Sequence, residues 1–381
     1  MKLGDSLALV GIGILFFFSC SYPNTHERIG RNDYTFEIRK EKEFLLDSMT
    51  TQETNYMQIV NDKKIAIYNQ PVNSICLFCI TSGKQIGEVQ LYKSGPYAVT
   101  GIQGFFYQSE DSIWLYRSWQ QELILVNSKG EILDRRMLKD KLYPTEKQVY
   151  SVAPFPLTDL PMQKIGDMLI MQGMNGPEVR DGLLPASTIL YNICLRKLYI
   201  MNPYPRIYGE KCMNENWGAF SYRIVPYTVN SKKEMVISFP ADDSISVYSL
   251  KEKSYKRFFA GYSQETDIQP LAGESKADMQ KHYLEQYQYA GIFYDKFHNL
   301  YYRLVLLPIY DYDVNNDIQY KPLSIIVLDS LFDKVGEYNL DKACYKYRNT
   351  FVSEEGLHIN VYSENDDYLK FITLKLVKNE K

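Results

Sequence analysis

Strand-like runs recur in pairs along this chain, at intervals that point to a repeated β architecture. Within each run apolar and polar residues alternate with the period of two expected of half-buried strands, and a polar segment joins the two members of a pair. The pairs cover residues 63–69 with 74–80, 111–118 with 122–127, 167–173 with 188–193, 234–239 with 244–249, 299–308 with 323–329 and 356–363 with 368–376. Several second strands lead into a turn and a third strand, and residues 81–84, 127–131 and 249–253 occupy equivalent places. The fragment at 124–133, ILVNSKGEIL, has the form of a blade turning from its third strand to its fourth.

Repeated β units of about 40–50 residues read as propeller blades, which protect their sheet edges by radial packing. Six blades of about 45 residues need about 270 of the 381, so the surplus lies in loops. Segments 140–150, 174–186, 201–217, 260–286 and 309–322 all fall between strand-like runs. A seventh blade would have to come from 142–164, where Pro144, Pro154, Pro156 and Pro161 argue for loop instead. Residues 34–46 read as a strand left over before the first blade, and the last unit ends near Leu376 without an outer strand. The fold class expected is therefore all-β, a six-bladed β-propeller over 34–381 closed by the N-terminal strand. A short helix is inserted at 273–287, with Ser275 and Asp278 in capping-box spacing. The 33 tyrosines and 18 phenylalanines agree, since aromatic residues favour strands.

The first 19 residues read as an address. Lys2 precedes an apolar run from Leu7 to Phe18, and Ser19 places a small residue before Cys20. Such a run is shorter than the roughly 20 residues of a spanning helix and matches a bacterial lipoprotein signal. Residues 20–33 are then a tether, with acyl chains on Cys20 as the expected link to the membrane. No basic patch is present to assist, and two or more chains give stable attachment where one is marginal. The net charge of -3 lacks the clustered Lys and Arg of a phosphate-backbone binder, so nucleic acid is not an expected partner. Cys76, Cys79, Cys194, Cys212 and Cys344 are odd in number and irregularly spaced, which is not a disulfide framework. Residues three apart on a strand point to opposite faces, so Cys76 and Cys79 read as buried structural thiols rather than a metal or redox pair.

Three segments carry a resemblance. VISFPADDSISVYSL from Val236, YDKFHNLYYRLV from Tyr294 and FVSEEGLHI from Phe351 resemble a Bacteroidota lipoprotein family, a domain of unknown function with a TolB-like six-bladed propeller, and SGPYAV from Ser94 resembles the Gly-Pro turn that opens a blade in related propellers. The resemblance implies the fold and brings no catalytic signature with it.

No nucleophile elbow, Walker loop, dinucleotide fingerprint or zinc-protease motif occurs. Asp311, Asp313 and Asn315 begin like a calcium loop, but Asn316 stands at the glycine position and Pro322 where a bidentate Glu belongs, so a solvated acidic hairpin is the alternative. The inner strands, read as 54–60, 98–107, 220–225, 287–294 and 349–353, hold almost no carboxylates; Tyr, Gln, Asn55, Thr100 and Arg223 dominate them. No metal or other cofactor is expected. Long loops of blades three to five gather on one rim and bring Arg180, Tyr204, Arg206, Tyr208, Trp217, Asp311 and Asp313 together as a candidate binding face. The alternative for Tyr204 and Tyr208 is that they pack over the blade edge. The expected function is a binding or protein-interaction module, monomeric and lipid-anchored in the cell envelope. It would sit at the outer membrane facing the periplasm and take an envelope protein, a peptide or a glycan. A hydrolase or lyase working in the central channel is the rival.

Overall fold

The computed structural model describes residues 28–138, 150–174, 184–209, 217, 220–273, 275–312, 320–340 and 342–379. They form six sheets, one for each expected strand pair, antiparallel throughout except where Tyr150–Ser151 runs parallel to Leu184–Asn192 in blade 3. Blade 1 comprises Met57–Val60, Lys64–Asn69, Ser74–Cys79 and Gln85–Gln90, and blade 2 Gly104–Ser109, Ser112–Arg117, Glu122–Val126 and Ile132–Met137. Blade 4 comprises Tyr227–Val229, Glu234–Ser238, Ser244–Ser249 and Ser254–Phe259, and blade 5 Gln288–Asp295, Leu300–Leu306, Leu323–Leu328 and Lys334–Leu340. Blade 3 is irregular. Its long strands are Met168–Met174, Leu184–Asn192 and Lys197–Pro203, and its inner edge is divided into two short pieces, Ala153–Pro154 and Gln163–Ile165.

The middle strands are buried on both sides because each sheet lies between two others. All seven residues of Leu300–Leu306 and all six of Leu323–Leu328 are buried. Outer strands keep the alternation of a half-wet strand, as in Ile132–Met137. Apolar clusters fill the seams between neighbours. Ile75, Leu77 and Val89 of blade 1 meet Phe105, Ile113 and Ile124 of blade 2, and Phe44, Phe351 and Phe371 of blade 6 meet Ile65, Ile67 and Phe78 of blade 1. Between blades 4 and 5 the seam holds a fully buried cation, Arg303. Its guanidinium lies 3.9 Å from the Tyr289 ring centroid and donates to Ser238 Oγ and to the carbonyls of Asp243 and Ala260, each at 2.9 Å. Carbonyl oxygens thus satisfy a charge that burial would otherwise make very costly.

Blade 6 holds both ends of the described chain. Tyr345–Ser353, Gly356–Val361 and Tyr368–Lys378 are joined at the outer edge by Tyr34–Leu45, in register from Tyr34 opposite Lys378 to Leu45 opposite Tyr368, with a bulge between Arg39 and Lys42. Residues just before this strand are docked as well. Arg31 and Asp33 donate backbone hydrogen bonds to Lys334 and Val335, and Arg28 reaches Asp243 at 3.2 Å. Inside the blade, buried His358 stacks on Phe351 and pairs with Ser353 Oγ at 2.7 Å and Thr373 Oγ1 at 3.0 Å. Burial pulls its pKa down to about 3.

The inserted helix spans Lys276–Glu285, with the Ser275–Asp278 capping box formed. Buried Lys321 donates to the carbonyls of Tyr283 and Gln286 at the helix end, and burial lowers its pKa to about 7. Two expectations for inner strands need correction. Residues 220–225 do not form one: Phe220–Arg223 is a 3-10 turn, and Tyr227–Val229 is the inner strand of blade 4. In blade 2 the inner strand begins only at Gly104, because the chain before it folds back in a loop with Gly95 and Gly101 at positive φ. Of the expected structural thiols Cys76 is buried, Cys79 and Cys344 are half-buried, Cys194 is exposed, and Cys212 lies outside the described residues.

Deleting residues 34–39 removes half of the outer strand of blade 6 and uncovers a long edge. The truncated protein is expected to lose its single cooperative melting transition in calorimetry; an unchanged transition would show that this strand contributes nothing to the ring.

A blind vestibule in the central channel

Antiparallel wiring puts the turns between first and second strands, and between third and fourth, on one side of the ring, here the turn face. The connections between second and third strands and between blades emerge on the other, the loop face. What happens between the two faces is set by the divided inner edge of blade 3. At Pro154 the chain leaves the sheet, returns on itself through the Leu157–Leu160 bridge, and rejoins at Gln163. Pro156 and Pro161 flank this excursion and cannot donate to a ladder, so the departure from the strand is built into the sequence.

The excursion crosses the channel and is fastened to three other blades. Thr158 donates its backbone N–H to Asn55 O at 3.1 Å, and its hydroxyl accepts from Met57 N at 3.0 Å and donates to Asn349 Oδ1 at 2.9 Å. Met162 N donates to Tyr56 Oη at 2.7 Å, and Tyr227 Oη donates to Pro161 O at 2.5 Å. Asp159, fully buried, receives Arg348 Nη1 at 2.9 Å. Burial pushes its carboxyl pKa up in spite of that guanidinium, and Oδ1 has no hydrogen-bond partner among the described residues. Gly104 makes room, since a Cβ there would stand 2.6 Å from Pro156 Cβ and 2.7 Å from the Tyr56 ring.

Beneath this plug the channel remains open as a vestibule of about 560 Å³ toward the turn face. Met57, Ile59, Phe106, Ile292, Phe293 and Phe351 give it apolar walls, Thr158, Asp159 and Met162 contribute to its floor, and Asp62, Lys164, Lys233 and Lys296 surround its mouth. Lys296 of blade 5 pairs with Asp62 of blade 1. The lining contains two carboxylates, Asp62 and Asp159, each in an ion pair, and no histidine. Among the described residues no three His, Cys, Asp or Glu side chains gather as a metal site.

The candidate face read from the sequence lies on the other side, and the structure changes its character. Tyr204, Tyr208 and Trp217 are buried, at 2%, 0% and 2% exposure, so they are core and not exposed anchors. Tyr204 donates to Arg223 O at 2.5 Å and Tyr208 to Tyr222 O at 3.0 Å, while Trp217 lies 4.7 Å from the Tyr208 ring. The turn around Pro203 and Pro205 swings both tyrosines inward against Phe239 of blade 4, where backbone carbonyls accept their hydroxyls. Arg206 and Asp311 are exposed, whereas Cys20, Arg180, Asp313 and Asn315 lie outside the described residues. The exposed tryptophan is Trp119, 92% accessible in the second turn of blade 2, which the sequence reading did not single out. Sequence reasoning also missed the plug and the vestibule lysines. The four prolines of 142–164 are the available signal: they mark an interruption of the strand pattern but not where the chain goes.

The fold and this site define a class: a six-bladed propeller whose channel is closed from within by one of its own blades. The chain belongs to the DUF4221 family, a domain of unknown function whose model matches residues 33–339. It is similar to a solved member of that family from Bacteroides vulgatus, with 21% identity and a TM-score of 0.74 over 92% of this chain and 100% of the other. A second solved protein, from Bacteroides fragilis, is similar with 11% identity and a TM-score of 0.55 over 92% of this chain and 99% of its own. These likenesses concern the fold alone. No curated protein matches the sequence significantly.

Trp217→Ala is expected to cost about 3–5 kcal/mol of stability, as for other buried tryptophans, and Arg206→Ala less than about 0.5 kcal/mol. Chemical denaturation of the two variants checks this; a fully stable Trp217→Ala protein would return Trp217 to the list of surface anchors.

Proposed function

We propose that this protein is a ligand-binding module of the cell envelope, held to the membrane by acyl chains on Cys20, and that its ligand enters the vestibule from the turn face. The observation that carries the reading is the cavity itself. A volume of about 560 Å³ falls within the usual range of small-molecule sites, and its mixture of apolar walls and a few polar groups is typical of them. The plug makes it a blind pocket, so a ligand buries its surface against a floor instead of passing through.

Catalysis in the channel is the weaker reading. General acid–base chemistry needs a titratable group within reach of substrate and free to exchange its proton. Asp62 and Asp159 are committed to Lys296 and Arg348, and Asp159 is buried. The anchor reading rests on the leader sequence, and no described helix is long and apolar enough to cross a membrane.

Two variants test the proposal. Cys20→Ser is expected to move the protein out of the membrane fraction, and retention after a high-salt wash would refute the anchor. Thr228→Trp places an indole in the vestibule. Native mass spectrometry of protein purified from its own membranes should show a small-molecule adduct in the parent and none in this variant; an adduct that persists in a folded Thr228→Trp protein would put the ligand elsewhere.

A further inference from the structure

The vestibule has many polar side chains but few that are free. Gln58 is paired at both ends, accepting from Tyr107 N at 2.7 Å and donating to Tyr107 O at 3.2 Å. Asn230 donates to Glu234 Oε2 at 2.8 Å and Tyr301 Oη at 2.9 Å, and accepts from Glu234 N at 2.9 Å. The Tyr294 hydroxyl lies between Ser231 Oγ at 3.0 Å and Asn299 Oδ1 at 2.9 Å. Thr158 is used by the plug, and Thr350 donates to Tyr347 O at 2.7 Å. Most of the uncharged hydrogen-bonding capacity of the walls is thus consumed in holding the propeller together, and among the described residues Gln163 and Thr228 of the lining keep theirs.

Besides these two, what remains is positive charge. Lys233, exposed on a turn where its backbone is forced to φ 64°, has no side-chain partner among the described residues. Among the described residues Lys164 donates only to Gln108 Oε1, at 3.2 Å, and Lys296 is shared with Asp62. These cations come from blades 3, 4 and 5 and line one cavity with a single exposed carboxylate against them. Deeper in, the walls are Met57, Phe106, Phe293 and Phe351, and the one acidic group at the floor is neutralised by Arg348.

We infer that the vestibule takes a small amphipathic organic anion, with an apolar body seated among the aromatic walls and a carboxylate, sulfonate or phosphate at the mouth among Lys164, Lys233 and Lys296. This inference rests on the vestibule being the binding site. The orientation follows from the placement of the charges, since the floor carries an Asp159 carboxylate already paired with Arg348, while at the mouth three ammonium groups face one exposed carboxylate, Asp62, and Lys233 has no side-chain partner among the described residues. A neutral polyhydroxylated ligand is disfavoured, because beyond Gln163 and Thr228 its hydroxyls would find partners already engaged and would be desolvated without compensation.

The test uses two dyes with the same apolar body, 1-anilinonaphthalene-8-sulfonate and the uncharged N-phenyl-1-naphthylamine, on the full mature chain carrying Cys20→Ser so that acyl chains do not compete. One sulfonate dye is expected to bind per folded protein, at least about tenfold more tightly than the neutral dye, and to weaken as salt is raised. Lys164→Glu with Lys233→Glu should cost the sulfonate dye about tenfold or more, leaving neutral-dye binding and the melting temperature unchanged. Equal affinity for the two dyes, or sulfonate binding that ignores the double substitution, would overturn the anionic assignment while leaving the vestibule as the site, provided Thr228→Trp abolishes both signals. No stoichiometric binding of either dye, or binding indifferent to Thr228→Trp, would remove the vestibule itself and take both readings down.

Discussion

The turn face of this molecule depends on six residues, 157–162, that leave blade 3 and finish hydrogen-bonded to blades 1, 4 and 6. Each neutral hydrogen bond of that set contributes on the order of 1 kcal/mol, and orphaning one of its buried partners costs about 1–3 kcal/mol. The buried Asp159 carboxylate raises the stakes, because removing Arg348 would strand it in the interior. The plug is thus cheap to keep and costly to displace. It ties four blades at the axis, where a propeller otherwise has only inner strand edges, and it turns a through-channel into a pocket with a floor.

Ring and plug were unequally legible in the amino-acid sequence. Strand pairs such as 234–239 with 244–249 came through because their pattern is local: short runs rich in apolar residues, bounded by polar turns, that bury against the neighbouring sheets. The Ser275–Asp278 cap was readable for the same reason, being a contact between residues three apart. The plug was not. Thr158 meets Asn349 and Asp159 meets Arg348 across about 190 residues of chain, and nothing local in either segment announces the other. The prolines of 142–164 suggest a loop throughout, yet the segment holds the inner edge of blade 3 as Ala153–Pro154 and Gln163–Ile165, and a surface loop and a crossing of the channel look alike without the partners.

The binding face suffered from the opposite problem. Pro-Tyr-Pro and a nearby Trp look like exposed anchors in sequence, yet tyrosine hydroxyls accept burial readily when a backbone carbonyl is within reach, as Arg223 O and Tyr222 O are. Surface lysines, by contrast, attract no notice singly. Lys164, Lys233 and Lys296 acquire meaning only when the ring gathers three blades around one mouth. The same closure explains why buried polar residues elsewhere, Arg303 between blades 4 and 5 and His358 inside blade 6, are structural: each has its hydrogen-bonding groups satisfied by neighbouring strands and loops of the propeller.

The claim that the channel is closed from within is tested most directly by native-state hydrogen exchange at the amides of Thr158, Leu160 and Met162, which donate to Asn55 O, Leu157 O and Tyr56 Oη. A fixed plug predicts protection close to that of the middle strands of blade 1, lost only with global unfolding. Exchange at the rate of a surface loop, with the six sheets still protected, would mean that the segment swings free, that the channel is open from face to face, and that the vestibule has no floor.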